Sequence, residues 1–258
     1  MRAMFWKECR ELLPAAVSSC LVVAMYCGYT AWNALGHINL NDYQYPDAVY
    51  NIAPCLVVLA PLAALLIGFL QIVPEMRRDR WSFLVHRPAT RTLLFWGKVL
   101  PGLMLYLAAT ALPYYGSIWW IVRHMKMLVP FDIGMTEAGV ANILAGALFY
   151  FAAMLVAIRP ARWYGGRALP LVAALVVAFV VYGTELFWLS ALCTITIAAI
   201  FAVAAWGSFL TEGHYREQPR ITRLALAAVL SAGIYILGFF AVVLMDTDAT
   251  LWAQRLGM

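Results

Sequence analysis

Residues 74–98, from Pro74 to Lys98, read PEMRRDRWSFLVHRPATRTLLFWGK. This is the longest polar break in a chain that is 64% hydrophobic and 12% charged, with a mean hydropathy of +0.80. It holds six of the 18 basic residues, and Trp81, Phe83, Leu84 and Val85 are set among the charges. A soluble domain carries about 25% charged residues, so this composition is that of an integral membrane protein. The apolar runs on either side have close to the roughly 20 residues that a helix needs to cross a bilayer. No run shows the roughly ten-residue alternation of a β-barrel strand. The expected fold class is an all-α polytopic membrane protein with no soluble domain beside it.

Working outward from this break, seven apolar segments have the length of a span: 15–35, 49–73, 99–122, 138–158, 169–185, 187–210 and 224–245. Only Gly183, Thr184 and Glu185 interrupt the apolar stretch that the fifth and sixth make together. Two full spans with a tight turn, and a hairpin that dips in and returns, both fit that spacing. With the N-terminus inside, segments 1–14, 74–98, 159–168 and 211–223 are cytoplasmic and hold 15 of the 18 Lys and Arg residues. Only Arg123, Lys126 and Arg255 fall outside. Basic residues mark the cytoplasmic side of a membrane protein. The net charge of +5 therefore reports orientation in an inner, cytoplasmic membrane, and not a nucleic-acid partner. The C-terminus lies outside if all seven spans form.

The first 14 residues are not a span. Phe5, Cys9, Leu12 and Leu13 share one helical face, and Lys7, Arg10 and Glu11 fall largely on the other. Pro14 is expected to end this helix, which would lie in the interface and turn sharply into the membrane. An ordinary snorkelling N-terminus before the first span is the alternative. Glu8 and Glu11 among the basic residues are unlike a signal peptide. The five cysteines, Cys9, Cys20, Cys27, Cys55 and Cys193, form no CxxC pair and read as small apolar filler.

The order of these features resembles a known family. An interfacial Phe5-Trp6-Lys7-Glu8-Cys9-Arg10-Glu11 precedes two spans. Then come Glu75, Arg78, Trp81-Ser82-Phe83-Leu84, Arg87-Pro88-Ala89-Thr90-Arg91, Leu94 and Lys98, leading into a third span. This is similar to the permease subunit of a type-2 ABC exporter. The resemblance covers about the first 210 residues by topology and rests on 5–13 and 75–98 by motif. It implies an elbow helix at 1–14 (Phe5, Trp6, Lys7, Glu8, Arg10, Glu11), a six-span permease domain at 15–210, and a cytoplasmic coupling loop at 74–98. The residues implied to couple to an ATPase are Glu75, Arg77, Arg78, Arg80, Trp81, Leu84, Arg87, Pro88, Arg91 and Lys98. The partners implied are two copies of a separate ABC ATPase, which carries the ATP and Mg, and a second permease copy or a paralogue. The loop chemistry agrees: the arginines can meet acidic groove residues, and Trp81 and Leu84 can anchor by apolar contact. Pro88 would end the coupling helix, and Thr90 would cap the third span. A surface helix holding anionic lipid headgroups is the alternative for this loop. The family ends after six spans with its C-terminus inside. Here 211–258 adds a linker, a seventh span and an outer tail, or the chain continues in its parent.

Little else in the sequence carries chemistry. His37, His86, His124 and His214 all lie in loops without HExxH spacing, and no nucleotide-binding, catalytic or metal pattern occurs. Glu185 is either a turn residue or an outer gate. Pro54, Pro61, Pro101 and Pro113 can bend spans 2 and 3 where neighbouring helices serve the freed carbonyls. Met104, Met125, Met127, Tyr114, Tyr115, Phe149 and Phe151 either line an apolar path or pack. A non-transporting scaffold or sensor, and a secondary transporter, are the alternative functions. The orientation is testable in a background without native cysteines. A cysteine at position 80 is expected to react with a membrane-impermeant maleimide only from the cytoplasmic side, and one at position 44 only from outside. Labelling in the opposite sense would invert the topology.

Overall fold

The computed structural model describes residues 2–36, 49, 51–73, 90–124, 131–158, 164–182 and 187–211. These form six α-helices: α1 (Arg2–Gly36), α2 (Ala53–Ile72), α3 (Arg91–His124), α4 (Glu137–Ile158), α5 (Tyr164–Tyr182) and α6 (Phe187–Thr211). A 3₁₀ turn, Ile133–Thr136, leads into α4. There is no strand among the described residues. Five helices are long and apolar enough to cross a membrane, while the apolar stretch of α5 is the shorter Ala168–Phe179. The described residues are helical apart from short connections, and five spanning-length helices make this a multi-pass membrane protein. It divides into two compact units, Met1–Tyr215 and Arg216–Met258. The second unit, with the expected seventh span and tail, lies outside the described residues.

Two expected boundaries are corrected. Pro14 does not end the first helix, because α1 runs unbroken for 35 residues with Pro14 inside it. A proline deletes one bond, here to the Arg10 carbonyl, and its ring crowds that carbonyl. Both Pro14 and Arg10 lie on the open side of α1, so the packed stripe Glu8, Leu12, Ala15, Ala16 and Ser19 continues past the defect. The N-terminal segment is thus continuous with the first spanning helix and is not a separate element.

The second correction concerns the end of the 74–98 segment. Residues 91–98 are the first two turns of α3, which spans 34 residues. Thr90 does stand at its N-cap position, with the Thr90 carbonyl accepting the Leu94 N–H at 3.1 Å. Leu94, Phe95 and Lys98 are buried, so an apolar helical face begins before the expected start at Val99.

The helices pack in pairs of like direction. α1 lies along α3, and α2 lies along α4. Helix α4 also meets α5 and α6, and 83% of its apolar window is buried. Within a membrane the hydrophobic effect does not drive helices together, so close contact depends on small residues. Gly68 of α2 lets the backbone of α4 come close, since a Cβ there would stand 2.7 Å from the Tyr150 backbone oxygen. Three buried tyrosines lie over glycines of facing helices: Tyr106 over Gly146, Tyr114 over Gly139 and Tyr150 over Gly102. Each of the first two hydroxyls donates to a carbonyl, Tyr106 to Ile143 at 2.6 Å and Tyr114 to Thr136 at 3.2 Å. Asn142 donates to the Ala53 carbonyl at 2.9 Å, tying the start of α2 to the second turn of α4. Val23, Cys27 and Ala31 of α1 close an apolar cluster with Ile52, Leu56, Tyr114 and Ile118.

Gly68→Val is expected to force α2 and α4 apart. The loss in stability is about 1–3 kcal/mol, as for other overpacked cores. Gly28→Val, where a Cβ would meet nothing within 4 Å, is the matched control and is expected to change nothing. Thermal unfolding in detergent reads both; equal behaviour of the two variants would refute the close contact.

Candidate functional site: a polar junction of four helices

A buried polar chain crosses α1, α3, α2 and α4 near the start of α3. Glu8 is 2% exposed and Lys98 is 1% exposed. The Lys98 Nζ donates to Glu8 Oε1 at 2.9 Å. Glu8 occupies this position because it falls in the same helical stripe as Leu12, Ala15 and Ser19, the face that α1 buries. Its carboxylate is carried into the bundle by the burial of that stripe.

The Lys98 backbone carbonyl continues the chain. It accepts a short hydrogen bond from Gln71 Nε2 of α2. Gln71 Oε1 in turn accepts from the Tyr150 hydroxyl of α4, and the Val99 carbonyl lies within reach of that hydroxyl at 3.2 Å. Gln71 is 3% exposed and Tyr150 is fully buried. Gly102 makes the room, since a Cβ there would stand 2.5 Å from both Gln71 Oε1 and Tyr150 Oη. Glu8, Lys98, Gln71 and Tyr150 each have a partner, as low-dielectric surroundings require.

The energies separate the contacts. Losing one partner of a buried ion pair leaves an uncompensated charge and costs about 3–5 kcal/mol. A neutral interhelical hydrogen bond within a membrane contributes about 0.6 kcal/mol. The exposed pair Lys7–Glu11, at 3.8 Å, belongs to the weakest class, about 0.3–0.5 kcal/mol for an i,i+4 pair. Removing one partner of the Glu8–Lys98 bridge is therefore the costliest single truncation at the junction.

Of the residues singled out from sequence, the structure unites Glu8 of the N-terminal segment with Lys98 of the 74–98 segment. Both are inside the bundle, not on a docking surface. Trp6, Lys7, Arg10 and Glu11 are exposed, and Phe5 is half-buried. Arg91 begins α3, and its side chain lies outside the described residues, as do Glu75, Arg77, Arg78, Arg80, Trp81, Leu84, Arg87, Pro88 and Glu185. Tyr114, Phe149 and Phe151 are packed in the core, while Met104 and Tyr115 lie on the open face. Gln71 and Tyr150 were not anticipated. Gln71 reads as an interfacial residue at a span end, and Tyr150 is masked by its neighbours Phe149 and Phe151. Among the described residues, no group of three or more His, Cys, Asp or Glu side chains is placed to hold a metal ion. Cys27 and Cys55 are buried free thiols, and Cys55 donates to the Ile52 carbonyl at 2.9 Å.

No protein-family model matches this chain, and no curated protein matches it.

A double-mutant cycle checks the bridge. Lys98→Met alone is expected to destabilise by about 3 kcal/mol or more, through the stranded carboxylate. Glu8→Leu together with Lys98→Met is expected to recover most of that loss. Additive losses, read by unfolding in detergent, would refute the pairing.

Proposed function

We propose that this chain is the transmembrane subunit of an ATP-driven exporter of the type-2 ABC class. It moves a substrate out of the cytoplasm or the inner leaflet, with its N-terminus cytoplasmic. The ATP and Mg are held by a separate ATPase, present in two copies, and a second permease chain completes the pathway. The ATPase docks on the 74–90 part of the loop, where Arg77, Arg78 and Arg80 supply charge and Trp81 and Leu84 supply apolar anchors.

The observation that carries this reading is the meeting of Glu8 and Lys98, 90 residues apart. These are positions of the two sequence motifs that point to the family. The ion pair fastens the N-terminal segment to the helix that leaves the loop. A push delivered to the loop would then reach α1 and α3 together. Lys98 acts in this reading by holding α1, and not by touching the ATPase.

A second reading has a specific observation in its favour. A carboxylate and an ammonium buried among spanning helices are what an ion-coupled secondary transporter uses.

Arg78→Glu with Trp81→Ala is expected to abolish co-purification of the ATPase while membrane insertion is retained. Unchanged co-purification would count against the exporter reading. Uptake or efflux that collapses with a protonophore, and is indifferent to ATP depletion, would establish the second reading instead.

A further inference from the structure

The junction coincides with a defect in α3. Pro101 has no N–H, so the Gly97 carbonyl loses its helical donor, and the ring crowds that carbonyl. Gly102 follows and adds no side chain to stiffen the backbone. Where helices kink, they do so mostly at such points. One turn before it, the Lys98 and Val99 carbonyls face Gln71 of α2 and Tyr150 of α4. On another side, Lys98 holds Glu8 of α1, and Met4 packs 3.4 Å from where a Gly97 Cβ would stand.

We propose that residues 91–100 of α3 and the N-terminal turns of α1 form one lever, hinged at Pro101–Gly102, with Gln71 and Tyr150 as its latch to α2 and α4. Bond strength decides which contacts yield. The lever is tied to α2 and α4 by hydrogen bonds between uncharged groups, which are weak in a membrane. It is tied to α1 by a buried ion pair, whose rupture strands two charges. When the lever swings, the latch opens first and α1 travels with α3.

Tyr150 suits a latch in a second respect. Its hydroxyl has a single proton and two acceptors in reach, Gln71 Oε1 on α2 and the Val99 carbonyl on α3. It can leave Val99 without leaving itself unpaired, because Gln71 remains. The lever then has two discrete positions, one with Tyr150 reaching both Gln71 and Val99 and one with Tyr150 keeping Gln71 alone, and discrete alternatives are the form that conformational switches take. The device does not depend on what drives it, so it stands or falls apart from the exporter reading.

The test uses the full chain in lipid nanodiscs, without native cysteines, and nitroxide labels at open-face positions. Pair 93–112 straddles the hinge within α3, and pair 6–112 reports α1 against the far part of α3. Leu93, Leu112 and Trp6 are all exposed. Pulsed-EPR distances are read in the parent and in Gln71→Leu/Tyr150→Phe. A second distance population is expected for both pairs in that variant, and adding Pro101→Ala is expected to remove it from both. Tyr150→Phe alone keeps the ring over Gly102 and is expected to give the same second population in smaller amount. Parent-like distances in both latch variants would overturn the lever. A change in pair 93–112 without one in pair 6–112 would overturn the joint movement of α1 and α3.

Discussion

A carboxylate and an ammonium removed from water have to meet. The way Glu8 and Lys98 do so constrains how the start of this bundle is built. Neither can leave without stranding the other. The pair fixes the register of α1 along α3, and the Lys98 carbonyl and the neighbouring Val99 carbonyl present acceptors to Gln71 and Tyr150. Four helices are thereby joined by one continuous polar chain. The open face of α1 carries Pro14 and Arg10 and has no such demand, so a proline is accommodated there without breaking the helix.

Elsewhere the helices are held by shape. Glycines bring backbones close, and tyrosines fill the space over three of them while their hydroxyls reach carbonyls or Gln71. This combines the two means available inside a membrane, close packing of small residues and interhelical hydrogen bonds. Most of these contacts lie on α4, whose apolar window is the most buried of the five. Apolar side chains that remain exposed, among them Trp188 on α6, Met25 on α1 and Leu112 on α3, are suited to lipid.

The polar chain also bears on what the protein does. An exporter subunit driven from outside the membrane needs a stiff route from its loop into its helices. In sequence the junction stands about one turn before the 74–89 segment at Gln71 and about two and a half turns after it at Lys98. The same chemistry would serve ion coupling, so the proposal of an exporter leans on the motif order as well as on the junction.

Much of the architecture was legible in the chain itself. The helices α2, α4 and α6 begin and end within about four residues of where apolar length and turn residues place them. Length and hydropathy are local properties, and a bilayer reads them locally. Arg91 and Lys98 frame residues 91–98 with charge, which puts the start of the apolar span at Val99, although Thr90 is legible as the cap of this helix and Leu94 and Phe95 are already helical and buried. Glu8 was read as part of a surface segment for the same reason. The sequence by itself determined the class, the helices α2, α4 and α6, and the two motif-bearing segments. Only the tertiary structure decided that Glu8 and Lys98 are buried partners, and that Gln71 and Tyr150 join them. Those contacts span 79 to 90 residues for the side-chain pairs. They depend on which helix faces meet, and no local pattern of charge or hydropathy specifies that.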